Sequence, residues 1–220
     1  MDISAIEANL GSDDSQVRLK TVKQLWDGET ETVIPLLMKQ LNDPEFLVRT
    51  FVCMGLARHQ TTEGFAALLQ VTKLDPDPNV RAEAANSLSL YGKISSSHLV
   101  STFFQDDHWL VRRSILAALT EMTDCPQALF EVCVCGLEGE DETVRETSTT
   151  CLATLAGTPK RGDALQTLLQ YVADPSWRVR LRVATALFNF DEPEAKAALQ
   201  TLASDSDHRV VGATLEKQVK

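Results

Sequence analysis

Residues 43–49 read Asp-Pro-Glu-Phe-Leu-Val-Arg, and residues 174–180 read Asp-Pro-Ser-Trp-Arg-Val-Arg. The two stretches share an aspartate, a proline and a valine-arginine pair at the same spacing. The Val-Arg pair recurs along the whole chain, with successive valines 31 to 35 residues apart. Self-similarity at such a period predicts a repeat architecture. Its copies are marked by Val17, Val48, Val80, Val111, Val144 and Val179, with a degenerate seventh at Val210.

The residues around each pair predict a helical hairpin. An aspartate stands five positions before the valine in most copies, whereas Ser12 and Gly139 occupy that slot in the other two. Because aspartate can cap a helix and proline can occupy its first position, this slot predicts the turn before the second helix. Apolar residues follow the valine at helical spacing. One hairpin cannot bury such a face alone, so we expect an all-α array of stacked hairpins, about seven in number.

Composition limits the classes of function. The chain has 220 residues, a formal net charge of -10 and five cysteines. The negative charge disfavours a nucleic-acid partner, because phosphate contacts need a positive surface. The N-terminus lacks the basic and apolar regions of a signal peptide, and no apolar run approaches a membrane span. We therefore expect a cytoplasmic protein with reduced thiols and no membrane insertion.

The repeated arginine is expected to be structural. It lies beside the buried face of the second helix, so its stem is covered and its guanidinium needs acceptors. The aspartate of the preceding turn or of a neighbouring copy can supply one. The pattern therefore predicts a ladder of Asp-Arg pairs rather than a catalytic role. Its predicted members are Asp43, Arg49, Asp75, Arg81, Asp106, Arg112, Asp174 and Arg180.

Two surfaces are candidates for contact with a partner. Aromatic residues stand two positions before the valine, and they either pack over the neighbouring turn or form a ridge for a partner. The face of the second helix opposite the core is nearly uncharged in the middle copies, so it is either a surface covered by a partner, which the lack of charge favours, or an ordinary solvent face. The candidate residues are Phe46, Trp109 and Trp177 on the ridge, and Leu19, Phe51, Met54, Ala117 and Leu181 on the opposite face.

Two further arginines have two interpretations. Arg178 and Arg182 lie one helical turn apart, so together they could bind carboxylates of an acidic partner helix or the propionates of a tetrapyrrole. Alternatively they pair with the acidic turn around Glu142, and the sequence favours neither interpretation.

The sequence predicts neither a metal site nor a catalytic site. Cys133 occupies an apolar column, and Cys133-Val134-Cys135 is not a zinc spacing, because residues two apart on a helix point in nearly opposite directions. Only Cys125 and Cys135 have a plausible route to solvent. The four histidines are scattered among different copies, and no Ser-His-Asp set, Gly-rich phosphate loop or H-E-x-x-H pattern occurs.

The stretches at 43–49 and 174–180 resemble HEAT repeats, in particular the short phycobilin lyase-like repeats with an Asp-Pro turn, a Val-Arg pair and a following Ala-rich helix. The resemblance covers residues 1–220 as a single domain. It implies a right-handed α-α superhelix, a HEAT-repeat solenoid. It is specific for the fold and says little about function, because such repeats have many partners.

The resemblance also supplies candidate functions. We expect a non-catalytic adaptor that holds a protein on its concave second-helix face without a cofactor. Among cyanobacterial-type proteins, the implied partner is an A-type iron-sulfur scaffold protein, which chain length favours. The alternative is a phycobilisome assembly or degradation factor, or a subunit of an E/F-type phycobilin lyase, with a phycobiliprotein as partner and a bound bilin. The chain lacks the adjacent His-Cys pair of isomerising lyases and the paired His-Glu motifs of HEAT-repeat hydroxylases.

Overall fold

The computed structural model describes residues 2–215, and within this range the chain is helical and contains no strand. Short 3₁₀ turns lie at Gln40–Asn42, Gly92–Ser95 and Leu155–Gly157. The α-helices are α1 (Ile3–Leu10), α2 (Ser15–Leu25), α3 (Thr30–Lys39), α4 (Phe46–His59), α5 (Thr62–Leu74), α6 (Pro78–Ser89), α7 (Ser96–Gln105), α8 (Trp109–Glu121), α9 (Pro126–Glu138), α10 (Glu142–Thr154), α11 (Arg161–Gln170), α12 (Trp177–Leu187), α13 (Pro193–Leu202) and α14 (His208–Leu215).

The helices alternate as the first and second members of hairpins. We call the odd-numbered helices first helices and the even-numbered ones second helices. The second helices carry the repeated Val-Arg positions. The all-α fold of helical hairpins that the sequence predicts is confirmed for the described residues.

The slot aspartate does not cap the second helix as predicted. Asp43 lies two residues before Glu45, the N-cap of α4, and its Oδ1 accepts a hydrogen bond from the Glu45 amide at 2.9 Å. The same local bond joins Asp75 to the amide of Asp77, which is itself the N-cap of α6. A side chain that bonds the amide two residues ahead closes an Asx turn. The aspartate therefore shapes the turn and keeps its second carboxylate oxygen for another partner.

Contacts between helices divide the chain into two compact units, Met1–Ala118 and Leu119–Lys220. In the first unit α4 packs against both α2 and α6, and in the second α12 packs against both α10 and α14. Successive second helices are therefore neighbours within each unit, as stacking of hairpins requires. The assignment of residues 1–220 to a single domain stays a prediction.

The core of each unit follows the repeat columns. Val48, Val80 and Val179 have no exposed surface, and the leucine eight positions after each of them is also fully buried. Each buried leucine contributes about 1.5–3 kcal/mol relative to an exposed one. The apolar columns therefore fix the orientation of the second helices and decide which side chains remain on the opposite face.

Candidate partner-binding surface and ion-pair ladder

Between residues 2 and 215, five ion pairs between a Val-Arg arginine and a slot aspartate connect successive copies of the repeat. In each pair, the arginine of one Val-Arg position donates to the slot aspartate of the following copy. Arg49 shows the full pattern: Nε and Nη2 donate to the two carboxylate oxygens of Asp75 at 2.7 and 2.9 Å, and Nη1 donates to the Asp43 carbonyl at 2.8 Å. The five pairs are Arg18–Asp43, Arg49–Asp75, Arg81–Asp106, Arg145–Asp174 and Arg180–Asp205.

Two carboxylates of this ladder, those of Asp43 and Asp205, have a lowered pKa despite their burial. Burial opposes ionisation of Asp43, but the hydrogen bonds from Arg18 and from the Glu45 amide outweigh it and hold its pKa below the usual value. The hydrogen bond from Arg180 likewise lowers the pKa of Asp205, against a smaller effect of burial. Where it occurs, an ion pair of this kind joins a hairpin to the next one, because breaking it leaves a buried charge without its counter-ion.

Arg112 departs from the predicted pairing. Its Nε donates to the backbone carbonyl of Asp106 at 2.7 Å, and its guanidinium lies 5.5 Å from the centre of the Phe103 ring. The slot of the following copy holds Gly139, which has no carboxylate to offer. The expected Asp-Arg ion pair at this position is therefore replaced by a backbone bond and a cation-π contact. The ladder has three further members, Arg18, Arg145 and Asp205, which occupy the same repeat columns as the predicted ones and are therefore identifiable from sequence.

In the first unit, the face opposite the core carries several half-exposed apolar side chains. Leu19 on α2 and both Phe51 and Met54 on α4 are partly exposed, and Ala117 on α8 is exposed. A further side chain, Trp26 at the end of α2, joins this face. Its ring stacks on Phe51 with centroids 5.6 Å apart and an angle of 20° between the planes. The predicted face is therefore extended by an aromatic pair that links two neighbouring second helices.

Trp26 is held against α4 by a hydrogen bond, a ring stack and close packing. Its indole Nε1 donates to the Phe51 carbonyl at 3.1 Å, in addition to the ring stack. Gly55 supplies the third contact, because a Cβ there would lie 3.0 Å from Cδ1 and Nε1 of Trp26 and 3.1 Å from Cδ1 of Leu37. A glycine in this position lets the indole pack directly against the backbone of α4. These contacts fix the aromatic pair in one arrangement on the surface of the first unit.

Positive side chains flank the Trp26–Phe51 pair. Lys23 Nζ lies 5.5 Å from the centre of the Phe51 ring, and the Arg58 guanidinium lies 4.8 Å from that of Trp26. Arg58 also reaches Asp27 at 3.4 Å, but both side chains are exposed and such pairs contribute little. We name Lys23, Trp26, Phe51 and Arg58 the basic-aromatic patch.

In the second unit, Arg178 and Arg182 pair with acidic residues of the neighbouring second helix. Arg178 Nη1 lies 3.0 Å from Glu142 Oε2, and Arg182 Nε lies 3.2 Å from Glu146 Oε2. The hydrogen bond from Ser176, followed by the attraction of Arg178, lowers the pKa of Glu142. The sequence left two interpretations of these arginines open, and in the structure they pair with the adjacent acidic residues. Leu181 is partly exposed on the same helix.

The aromatic residues before the valines differ in their surroundings. Trp177 is partly exposed, and Arg209 covers its ring with the guanidinium carbon 3.2 Å from the ring centre. Trp109 is 40% exposed and stacks on His108 at 6.0 Å. Phe46 is partly exposed at the start of α4. Trp177 thus packs against the next copy, whereas Trp109 is the ridge aromatic with the most accessible ring.

Most of the cysteine side chains are buried. Cys125 was expected to reach solvent, but it is only 6% exposed at the N-cap of α9, where its Sγ lies 3.4 Å from Oδ1 of Asp124. Cys135 is partly exposed.

Between residues 2 and 215, no group of three or more His, Cys, Asp or Glu side chains could hold a metal ion. No helix in the same range is both long and apolar enough to span a membrane.

Helical hairpins that stack through apolar columns and a repeated Asp-Arg pair define an α-solenoid repeat protein. The profile described as HEAT repeats matches residues 3–89, 34–120, 65–153 and 131–217. The chain belongs to the HEAT-repeat family. Comparison with curated protein sequences gives no match.

Several solved structures are similar to this chain. YibA of Escherichia coli has a TM-score of 0.65 and 15% identity, with 100% of this chain and 84% of that chain covered. A chain of the CpcE and CpcF complex of phycocyanin lyase from Nostoc sp. has a TM-score of 0.53 and 18% identity, with 99% and 88% covered. Human deoxyhypusine hydroxylase has a TM-score of 0.50 and 17% identity, with 97% and 93% covered. At these identities the similarity shows the fold alone.

Proposed function

We propose that this protein is a non-catalytic scaffold that binds another protein through the exposed face of its second helices. The observation that carries the proposal is the fixed aromatic pair Trp26–Phe51, which lies beside the partly exposed Met54 on that face. Aromatic and methionine side chains in such positions are enriched at protein interfaces. HEAT-repeat folds are suited to this task, because stacked hairpins offer an extended surface.

The proposal is tested by affinity capture from the native cell extract. The tagged wild-type protein is compared with the double variant Phe51→Ala/Met54→Ala, which trims the second-helix face. The matched control is Leu74→Ala, since Leu74 is 77% exposed at the end of the first helix α5. Quantitative mass spectrometry then measures each captured protein for all three baits.

We expect at least one protein to be captured by the wild type and by Leu74→Ala and to be lost with the double variant. Thermal unfolding of both variants is measured in parallel, so that loss of folding is separated from loss of contact. Equal capture by a folded double variant would refute the assignment of this face.

The candidates for the partner are taken from the resemblance to the phycobilin lyase-like HEAT repeats. We propose an A-type iron-sulfur scaffold protein as the first candidate and a phycobiliprotein as the second, and purified examples of each can replace the extract. A lyase subunit would in addition bind a linear tetrapyrrole. A red-shifted absorbance after mixing with phycocyanobilin would favour that alternative, whereas an unchanged spectrum would favour the adaptor.

A further inference from the structure

On α2 and α4 of the first unit, the face opposite the core carries three exposed cations, Lys20, Lys23 and Arg58, although the whole chain carries a net charge of -10. Lys20 and Lys23 are exposed on α2 and lie three residues apart, so they are neighbours on the helix surface. Arg58 is exposed on α4 and belongs to the basic-aromatic patch. Asp27 beside Arg58 and Glu83 at the matching position of α6 carry negative charge, so the excess of cations is confined to the α2 and α4 part of this face.

The cations are available to an incoming carboxylate. The Lys23 ammonium lies over the face of the Phe51 ring, and no carboxylate between residues 2 and 215 forms an ion pair with it. Arg58 has Asp27 as a partner at 3.4 Å, but the Asp27 side chain is 88% exposed, so a partner carboxylate can replace it at little cost. The rings of Phe51 and Trp26 lie between the two cations and offer an apolar contact.

We propose that the basic-aromatic patch, together with Lys20, docks an acidic amphipathic helix of a partner protein, with carboxylates against Lys20, Lys23 and Arg58 and an apolar side chain against the Trp26–Phe51 rings. This inference rests on the proposed function and adds the chemical class of the partner. Charge complementarity between such a helix and the patch carries it. Nucleic acid fits less well, because the patch has few cations and the acidic remainder of the chain repels a phosphate backbone.

The probe is a synthetic, fluorescently labelled helix of about 16 residues, long enough to form helix on a surface, with Glu on one face and Leu on the other. Binding to the full chain is measured by anisotropy at low and at physiological salt. A second peptide has every Glu replaced by Lys, and a single-stranded oligonucleotide serves as a third probe. The test variant is Lys20→Glu/Lys23→Glu. The control is Lys73→Glu/Lys93→Glu, which changes the net charge equally at exposed lysines away from α2 and α4.

We expect the acidic helix to bind the wild type, to weaken with salt and to lose about tenfold or more in affinity with Lys20→Glu/Lys23→Glu. The control variant is expected to bind within about twofold of the wild type. Equal weakening by both variants, no binding of the acidic helix at low salt, or preferential binding of the basic peptide or the oligonucleotide would each overturn the inference.

The peptide-binding experiment and the capture experiment can fail independently of each other. If protein capture depends on Phe51 and Met54 while the acidic helix does not bind, the acidic class is wrong and the scaffold function stands. If capture is unaffected in Phe51→Ala/Met54→Ala, the scaffold face itself is wrong, whatever the peptide does.

Discussion

Arg49 Nε lies 2.7 Å from Oδ2 of Asp75, an aspartate that belongs to the next copy of the repeat. The side chains are only 11% and 6% exposed, so the pair is nearly excluded from water. The same relationship recurs between other copies and is absent for Arg112, whose donor reaches a backbone carbonyl instead. This difference allows the contribution of the ladder to be measured within one protein.

Arg49→Ala is expected to lower the free energy of unfolding by about 3 kcal/mol, because it leaves the Asp75 carboxylate buried without its counter-ion. Arg112→Ala is expected to cost about 1 kcal/mol, since it removes one hydrogen bond and a cation-π contact. Urea denaturation of the two variants measures both values. Equal losses would mean that the ion pairs add nothing beyond the packing of the arginine stems.

The register of the ladder could be predicted from sequence, whereas the aromatic pair could not. Asp43 and Arg49 belong to columns that repeat, and Gly139 shows in advance where the carboxylate is missing. Trp26 stands nine positions after Val17, where no other copy carries a tryptophan, so no repeat column points to it.

One signal for the aromatic pair was present in the sequence. Gly55 is the only glycine in a column otherwise filled by larger residues, and a glycine in a buried helical position indicates close approach of another group. The sequence offered the pairing of Arg178 with the acidic turn around Glu142 but did not favour it, because the pairing depends on how two second helices align, and their copies differ in length there.

Gly55→Ala is expected to destabilise the protein by about 1–2 kcal/mol, because the added Cβ overlaps the Trp26 ring at 3.0 Å. The change should also alter the fluorescence of Trp26. Gly212→Ala is the matched control, since nothing lies within 4 Å of a Cβ at that position in α14. At position 212, the higher helix propensity of alanine should stabilise the protein by up to about 1 kcal/mol. A stabilising Gly55→Ala would show that the indole does not depend on the glycine.

The lowered pKa of Asp43 gives the Arg18–Asp43 pair a pH dependence. Because the folded-state pKa lies below that of the unfolded chain, about 3.9, the stabilisation is present above that value and is lost as the pH falls through the folded-state pKa. The difference in unfolding free energy between the wild type and Asp43→Asn should therefore shrink from neutral pH toward about pH 2. Urea titrations at several pH values measure this difference, and a constant gap would contradict the ionised pair.

Thiol accessibility tests the placement of the cysteines. Burial raises the pKa of both Cys53 and Cys133, so these thiols should react slowly with a labelling reagent in the folded protein. Cys135 is partly exposed and should account for the fast phase. Cys135→Ser is expected to remove that phase. A fast phase that persists in the variant would place another thiol at the surface.

The central claim is that a partner covers the second helices and leaves the first helices open. One methionine lies on each kind of helix: Met54 on the second helix α4 and Met38 on the first helix α3. Both are partly exposed and react with oxidants in the same way, so their oxidation rates compare the two faces. Hydroxyl-radical footprinting of the protein with and without its captured partner measures the oxidation rate of each. The account predicts that Met54 becomes several-fold less reactive while Met38 is unchanged. Protection of Met38 with no change at Met54 would contradict it.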